Sequence, residues 1–228
     1  MQRATLGGSA PIANNAESQK VLRNTYMLLG MTLAFSALTA GISMSLQLGS
    51  GVAMIMSIAA LLIVWLVLPR TANTAMGLPV VFLFTGLLGA ALGPMLNRYL
   101  ALPNGPEMVM QALGGTALIF FSLSAYVISS KKDFSFMGGF LFAGMMVVIV
   151  GMVGGMIASY FFGVDVSVLR LAMSGAIVLL MSGFILFDTS RIINGGETNY
   201  IMATVSLYLN IYNLFTSLLH LIGATSDD

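Results

Sequence analysis

The chain of 228 residues is 58% hydrophobic and only 7% charged, with nine basic and eight acidic side chains and a formal net charge of +1. Soluble domains carry about 25% charged residues, so this composition cannot clothe a water-facing surface. It excludes a nucleic-acid binder, a disordered chain and an ordinary cytosolic enzyme. Cysteine is absent, which removes disulfides, thiolate metal centres and thiol chemistry.

Residues 1–23 are polar and carry Arg3, Lys20 and Arg23. The apolar run that follows is too long for the hydrophobic region of a signal peptide, so a retained first helix is expected. A crossing helix needs roughly 20 mostly apolar residues. Seven stretches satisfy this, at about 24–48, 52–68, 78–96, 108–128, 136–160, 166–191 and 200–222. The long continuous runs read as helices, since barrel strands would alternate over about ten residues. The expected fold class is therefore all-α: a polytopic membrane protein with a tail at 1–23, a seven-helix domain at 24–222 and a short tail at 223–228. The connections are too short to fold independently, which leaves function to the bundle and its two faces.

With a cytoplasmic amino terminus, the inside segments hold Arg3, Lys20, Arg23, Arg70, Lys131, Lys132 and Arg191, and the outside loops only Arg98 and Arg170. That asymmetry obeys the positive-inside rule. An odd number of crossings then places Ser226-Asp227-Asp228 outside. The lipid bilayer is the first partner this implies.

Small residues recur at four-residue spacing in the third helix (Gly89, Gly93) and the fifth (Gly151, Gly155). Such pairs let helices approach closely, either within one chain or across a dimer. Eighteen methionines and a single histidine read as core filling rather than a soft-metal site, and neither a metal nor a cofactor is expected. Serine, aspartyl and zinc hydrolases each lack a partner group: His220 is alone near the end of the last helix, and Asp188 is the one clearly embedded acid. The chain is not expected to be an enzyme.

The seventh segment differs from the rest. Ser206, Asn210, Asn213, Ser217 and His220 follow steps of four, three, four and three, within an arc of roughly 80°. Facing lipid, such a stripe would be costly. The helix is therefore expected at the centre of the bundle, ringed by the other six, with its stripe serving as interhelical hydrogen-bonding glue or as a water or ion path. Asp188, near the inner end of the sixth helix, reads either as a local partner of Arg191 one turn on or as a gating or proton-sensing group.

KKDFSFMGGFL, FDTSRII and SLYLNIYNLF resemble segments of the Bax inhibitor 1 family of membrane proteins, and the resemblance spans nearly the whole chain. VLRNTYMLLGMTLAFSALTA, ALGGTALIFFSLSAYV and GGETNYIMATVSLY are similar to a bacterial branch of that family whose members bind and restrain the FtsH protease in the inner membrane. The family resemblance implies seven helices with the last enclosed. It also implies two functions. One is modulation of FtsH; the other is a pH-sensitive calcium or cation leak, sensed by an aspartate in each of the last two helices and latched by an arginine in the second. On that pattern Asp188 is the sixth-helix aspartate, Arg70 the latch, and Asn210 stands where the second aspartate is expected. Two adjacent carboxylates cannot both ionise cheaply, whereas a carboxylate beside an amide lacks that coupling, so pH gating is expected to be weakened here.

Overall fold

The computed structural model describes residues 10–225, with side chains from residue 16. Arg3 and the Ser226–Asp228 tail, which enter the charge reading, lie outside the described residues. Among the described residues seven helices are long and apolar enough to cross a membrane. They are α1 (Ala10–Ser45), α2 (Ser50–Thr71), α3 (Gly77–Leu100), α4 (Gly105–Ser130), α5 (Gly138–Phe162), α6 (Ser167–Ile193) and α7 (Tyr200–Thr225). Each contains the apolar run expected for it, apart from a few residues at the ends. The larger difference is at α1, whose helix starts at Ala10 rather than near residue 24. Ala, Glu, Gln, Lys and Arg, which make up much of residues 10–23, are good helix formers in water, so the helix continues beyond the apolar run. At 1.5 Å per residue its 36 residues extend about 54 Å, well beyond a core of about 30 Å.

The turns have local causes. α4 ends with Lys131 in the left-handed conformation (φ 54°) and α5 with Gly163 (φ 62°). Asp133 accepts a hydrogen bond from the Ser135 amide at 2.8 Å, starting the 3-10 turn Ser135–Met137 that leads into α5. Hydrogen bonds from the Ser135 side chain and backbone hold the Asp133 carboxyl below its usual range. α2 contains a π turn over Ile63–Val67, placed where Pro69 cannot donate to the carbonyl four residues earlier. Thr71 Oγ1 bonds the Val67 carbonyl at 3.0 Å, and the Arg70 guanidinium bonds that of Leu66.

α7 is the shielded helix. Half of its most apolar 18-residue window is buried, against 11–44% in the other six. It packs on α1, α3, α4 and α6. The expectation of six neighbours needs correction: α2 packs on α3, and α5 on α6, so both stand one layer out with most of their surface toward lipid. These two are the most apolar of the seven and the least buried, so they lose least by facing acyl chains. The interior is closed by Phe84, Met181, Ile185, Leu207, Tyr208 and Leu214. The Phe84 and Tyr208 rings meet edge-to-face at 5.8 Å.

The glycine pairs serve packing within the chain. Gly89 and Gly93 lie against Ser36, Thr39 and Ser43 of α1, and Gly151 and Gly155 against Met173 and Leu169 of α6.

Candidate functional site

Asp188 and Asn210 meet. Asn210 lies midway along α7 and is buried (6% exposed), and its Nδ2 donates to Asp188 Oδ2 at 2.7 Å. Asp188 is half-buried, one turn and a half from the end of α6. A carboxylate at membrane depth needs a donor, and the amide supplies one without adding charge. Buried hydroxyls lie beside the pair: Thr189, next in sequence to Asp188, Tyr26 of α1 and Ser124 of α4 each carry a buried hydroxyl that makes no hydrogen bond among the described residues. Nothing in the apolar periodicity of α1 or α4 singles out Tyr26 or Ser124. Only the packing brings them to α6.

The end of α6 is tied to the α4–α5 connection. Ser190 Oγ accepts from the Phe134 amide at 2.8 Å and from Asn194 Nδ2 at 3.2 Å. On the next connection, Asn199 Nδ2 donates to Asn73 Oδ1 at 2.7 Å and to the Ala72 carbonyl at 3.1 Å. Its Oδ1 accepts from the amides of Ile201 and Met202, capping α7.

Two charged residues stand elsewhere than the sequence suggested. Arg70 is exposed and its guanidinium is spent on the Leu66 carbonyl of its own helix, so it does not reach Asp188. Arg191 pairs with Glu197 at 3.5 Å and donates to the Gly196 carbonyl at 3.1 Å, rather than turning back to Asp188. The tight turn after Gly195 (φ 75°) brings Glu197 round to the guanidinium.

The polar stripe of α7 divides. Asn210 reaches α6, and Ser206, one turn closer to the amino end, is half-buried. Asn213, Ser217 and His220 line a cavity of about 880 Å³ between α5, α6 and α7. His220 is exposed at its mouth rather than central, with Nδ1 2.8 Å from the Tyr99 hydroxyl. A second, mostly apolar cavity of about 430 Å³ lies between α1, α3, α4 and α7. Neither cavity is lined by Asp188 or Asn210. The opposite face of α7 is polar too: Tyr208 donates to the Thr85 carbonyl at 3.2 Å and lies 2.6 Å from Ser36 Oγ, and Thr204 bonds the Thr25 carbonyl at 3.3 Å. A stripe count missed these because tyrosine and threonine pass as apolar positions. Among the described residues no group of three or more His, Cys, Asp and Glu side chains converges to hold a metal ion.

Seven crossing helices, a shielded last helix and a carboxylate–amide contact joining the last two define a polytopic membrane protein with a polar centre. Residues 18–227 match the family described as inhibitor of apoptosis-promoting Bax1, and the chain belongs to that family, the Bax inhibitor 1 family. Among its relatives, a membrane protein of Vibrio cholerae is 51% identical over 220 residues, 96% of each chain. The protein of Escherichia coli K12 named modulator of FtsH protease YccA is 50% identical over 211 residues, 92% of this chain and 93% of that one. A Pseudomonas aeruginosa protein is 45% identical over the full length of both.

Proposed function

We propose that this protein resides in the bacterial inner membrane, associates with the FtsH protease and restrains it. The observation that carries this reading is the 50% identity to YccA, which runs through nearly the whole of both chains and includes loops as well as spans. The protein acts by association rather than by catalysis. Its amino-terminal segment, residues 1–23, gives the protease a cytoplasmic hold. The bundle then resists extraction, since α1 and α7 leave the membrane only if many helix contacts break together. A bound chain that is slow to be pulled in occupies the protease and spares other substrates.

The test is co-purification of the intact protein with FtsH from membranes in mild detergent, together with the turnover of known FtsH substrates on overexpression. The expected result is a stable complex and slower turnover. A clean absence of complex with unchanged turnover rejects the reading.

A second reading, a calcium or cation leak, is favoured by one observation: the cavity between α5, α6 and α7 extends to Asn213, one turn from the Asn210–Asp188 contact. Buried Met181, Ile185 and Leu214 fill the interior around that contact, and the pair holds one carboxylate in place of two. Calcium flux into proteoliposomes is accordingly expected to be small and nearly flat between pH 6 and 8. A steep pH-dependent flux abolished by Asp188→Asn would establish the leak instead.

A further inference from the structure

The cavity between α5, α6 and α7 has the form of an amphiphile site. At its mouth Arg170 lies one turn into α6. The acid of the α5–α6 connection, Asp165, accepts hydrogen bonds from the Ser167 amide at 2.9 Å and the Ser167 hydroxyl at 3.1 Å. These hydrogen bonds, with a smaller contribution from the Arg170 charge, hold the Asp165 carboxyl below its usual range. Among the described residues Arg170 forms no ion pair. His220 shares the mouth, and in the tautomer whose Nδ1 accepts from the Tyr99 hydroxyl, Nε2 carries the ring proton.

Deeper in, the polarity changes in steps. Ser217 is buried (4% exposed) yet lines the cavity, and its hydroxyl bonds no group among the described residues. Asn213 lies twelve residues from the end of α7, about 18 Å down at 1.5 Å per residue, which is roughly the middle of a hydrocarbon core of about 30 Å. The facing wall is apolar, with Met156 of α5 and Met173 of α6, and Met156 is 66% exposed, so the cavity opens sideways toward lipid. A cation at interface depth, a hydroxyl below it and a flexible apolar wall reaching the midplane match one molecule of the bilayer segment by segment.

We propose that this crevice binds an anionic phospholipid from the leaflet on the side of the α5–α6 connection. Its phosphate sits on Arg170 and His220 Nε2, an ester oxygen accepts from Ser217, and one acyl chain lies along Met156 and Met173. Charge complementarity selects the headgroup, since an unpaired guanidinium beside a ring N–H favours a phosphate carrying net negative charge. This site is independent of protease association.

Native mass spectrometry of the full-length protein, delipidated in neutral detergent and given phosphatidylglycerol or phosphatidylcholine at equal concentration, tests the assignment. Wild type is expected to retain phosphatidylglycerol preferentially. Arg170→Gln should weaken phosphatidylglycerol by about tenfold, the scale of one charge-assisted hydrogen bond, and leave phosphatidylcholine unchanged. Ser217→Leu, which fills the crevice, should weaken both. Arg98→Gln, an exposed cation on the same side of the bundle, should change neither. A wild type without headgroup preference, equal phosphatidylglycerol binding by Arg170→Gln, or an equal loss in Arg98→Gln would overturn the site. Displacement of phosphatidylglycerol by millimolar inorganic phosphate would make it a free-anion site and overturn the lipid assignment. Unchanged helicity by circular dichroism confirms that each variant is folded. Were Arg170→Gln to unfold, Ser217→Leu read against wild type decides alone: undiminished lipid binding there overturns the crevice.

Discussion

Asn210→Leu should lower the unfolding free energy by about 2–3 kcal/mol, the scale of a hydrogen bond to a charged group lost from a buried site. The leucine fits α7 and its propensity for helix is higher than that of asparagine, so the loss isolates what the amide does. Asn210 Nδ2 donates to Asp188 Oδ2 at 2.7 Å. Without it the carboxylate is left within the bundle facing apolar side chains. Asp188→Asn should cost much less, because two amides still exchange a donor for an acceptor. Asn210→Asp is expected to behave differently from both: two carboxylates at that separation share a proton. The folded variant then holds more protons than its unfolded chain, so its stability falls as pH rises from 6 to 8. Unfolding midpoints in detergent across that pH range measure all three. An Asn210→Leu midpoint equal to that of wild type would mean that water, not the amide, satisfies Asp188.

The second large effect concerns the α1–α3 seam. A methyl group added at Gly89 would run into the Ser36 carbonyl and the Thr39 hydroxyl, and one at Gly93 into Ser43. At Gly89 one of the obstructing atoms is backbone, which cannot swing away. Gly89→Ala should therefore cost about 2–3 kcal/mol, at the upper part of the range for overpacking. Gly155→Ala is the matched comparison, because the one tight contact of its methyl would be the Leu169 Cδ2 tip at 2.9 Å, a flexible end that can turn aside. Its cost should stay below about 1 kcal/mol. Thermal unfolding of the two variants in the same detergent separates them. Equal costs would show that the seam yields at Gly89 as readily as at Gly155 and would reject close approach as the cause, since the helix-entropy effect of alanine is a gain at both positions.

Much of this architecture is legible in the sequence because lipid is an undemanding solvent to read. The lengths of the seven apolar runs, and the expense of Asn210 and Asn213 facing hydrocarbon, suffice to place α7 inside. The pairing of Asp188 with Asn210 came from resemblance, since helical periodicity gives a residue's face but not which neighbour meets it. Arg70 shows the limit in the other direction. The resemblance suggests a long-range partner, yet its guanidinium bonds the Leu66 carbonyl one turn back on its own helix. Arg191 was similarly drawn to Glu197 by the turn at Gly195, a φ value that a list of charges does not contain. The crevice beside Arg170 was not visible as a feature at all, because its lining comes from three helices whose spacing is set by packing.

Three segments that stand far apart in the chain, around Asp133, Asp188 and Asn210, are neighbours in the folded molecule, linked through Ser190 and through the carboxylate itself. The α1–α3 seam adds a mechanical property. α1 lies along α3 and is pinned to α7 where Ser36 meets Tyr208. A pull applied at the amino terminus is directed along the axis of α1 and loads these contacts in shear, all at once, instead of peeling them one after another. A motor that takes short strokes gains nothing from each stroke until the entire interface slips, so such a chain is easy to grip and slow to unravel.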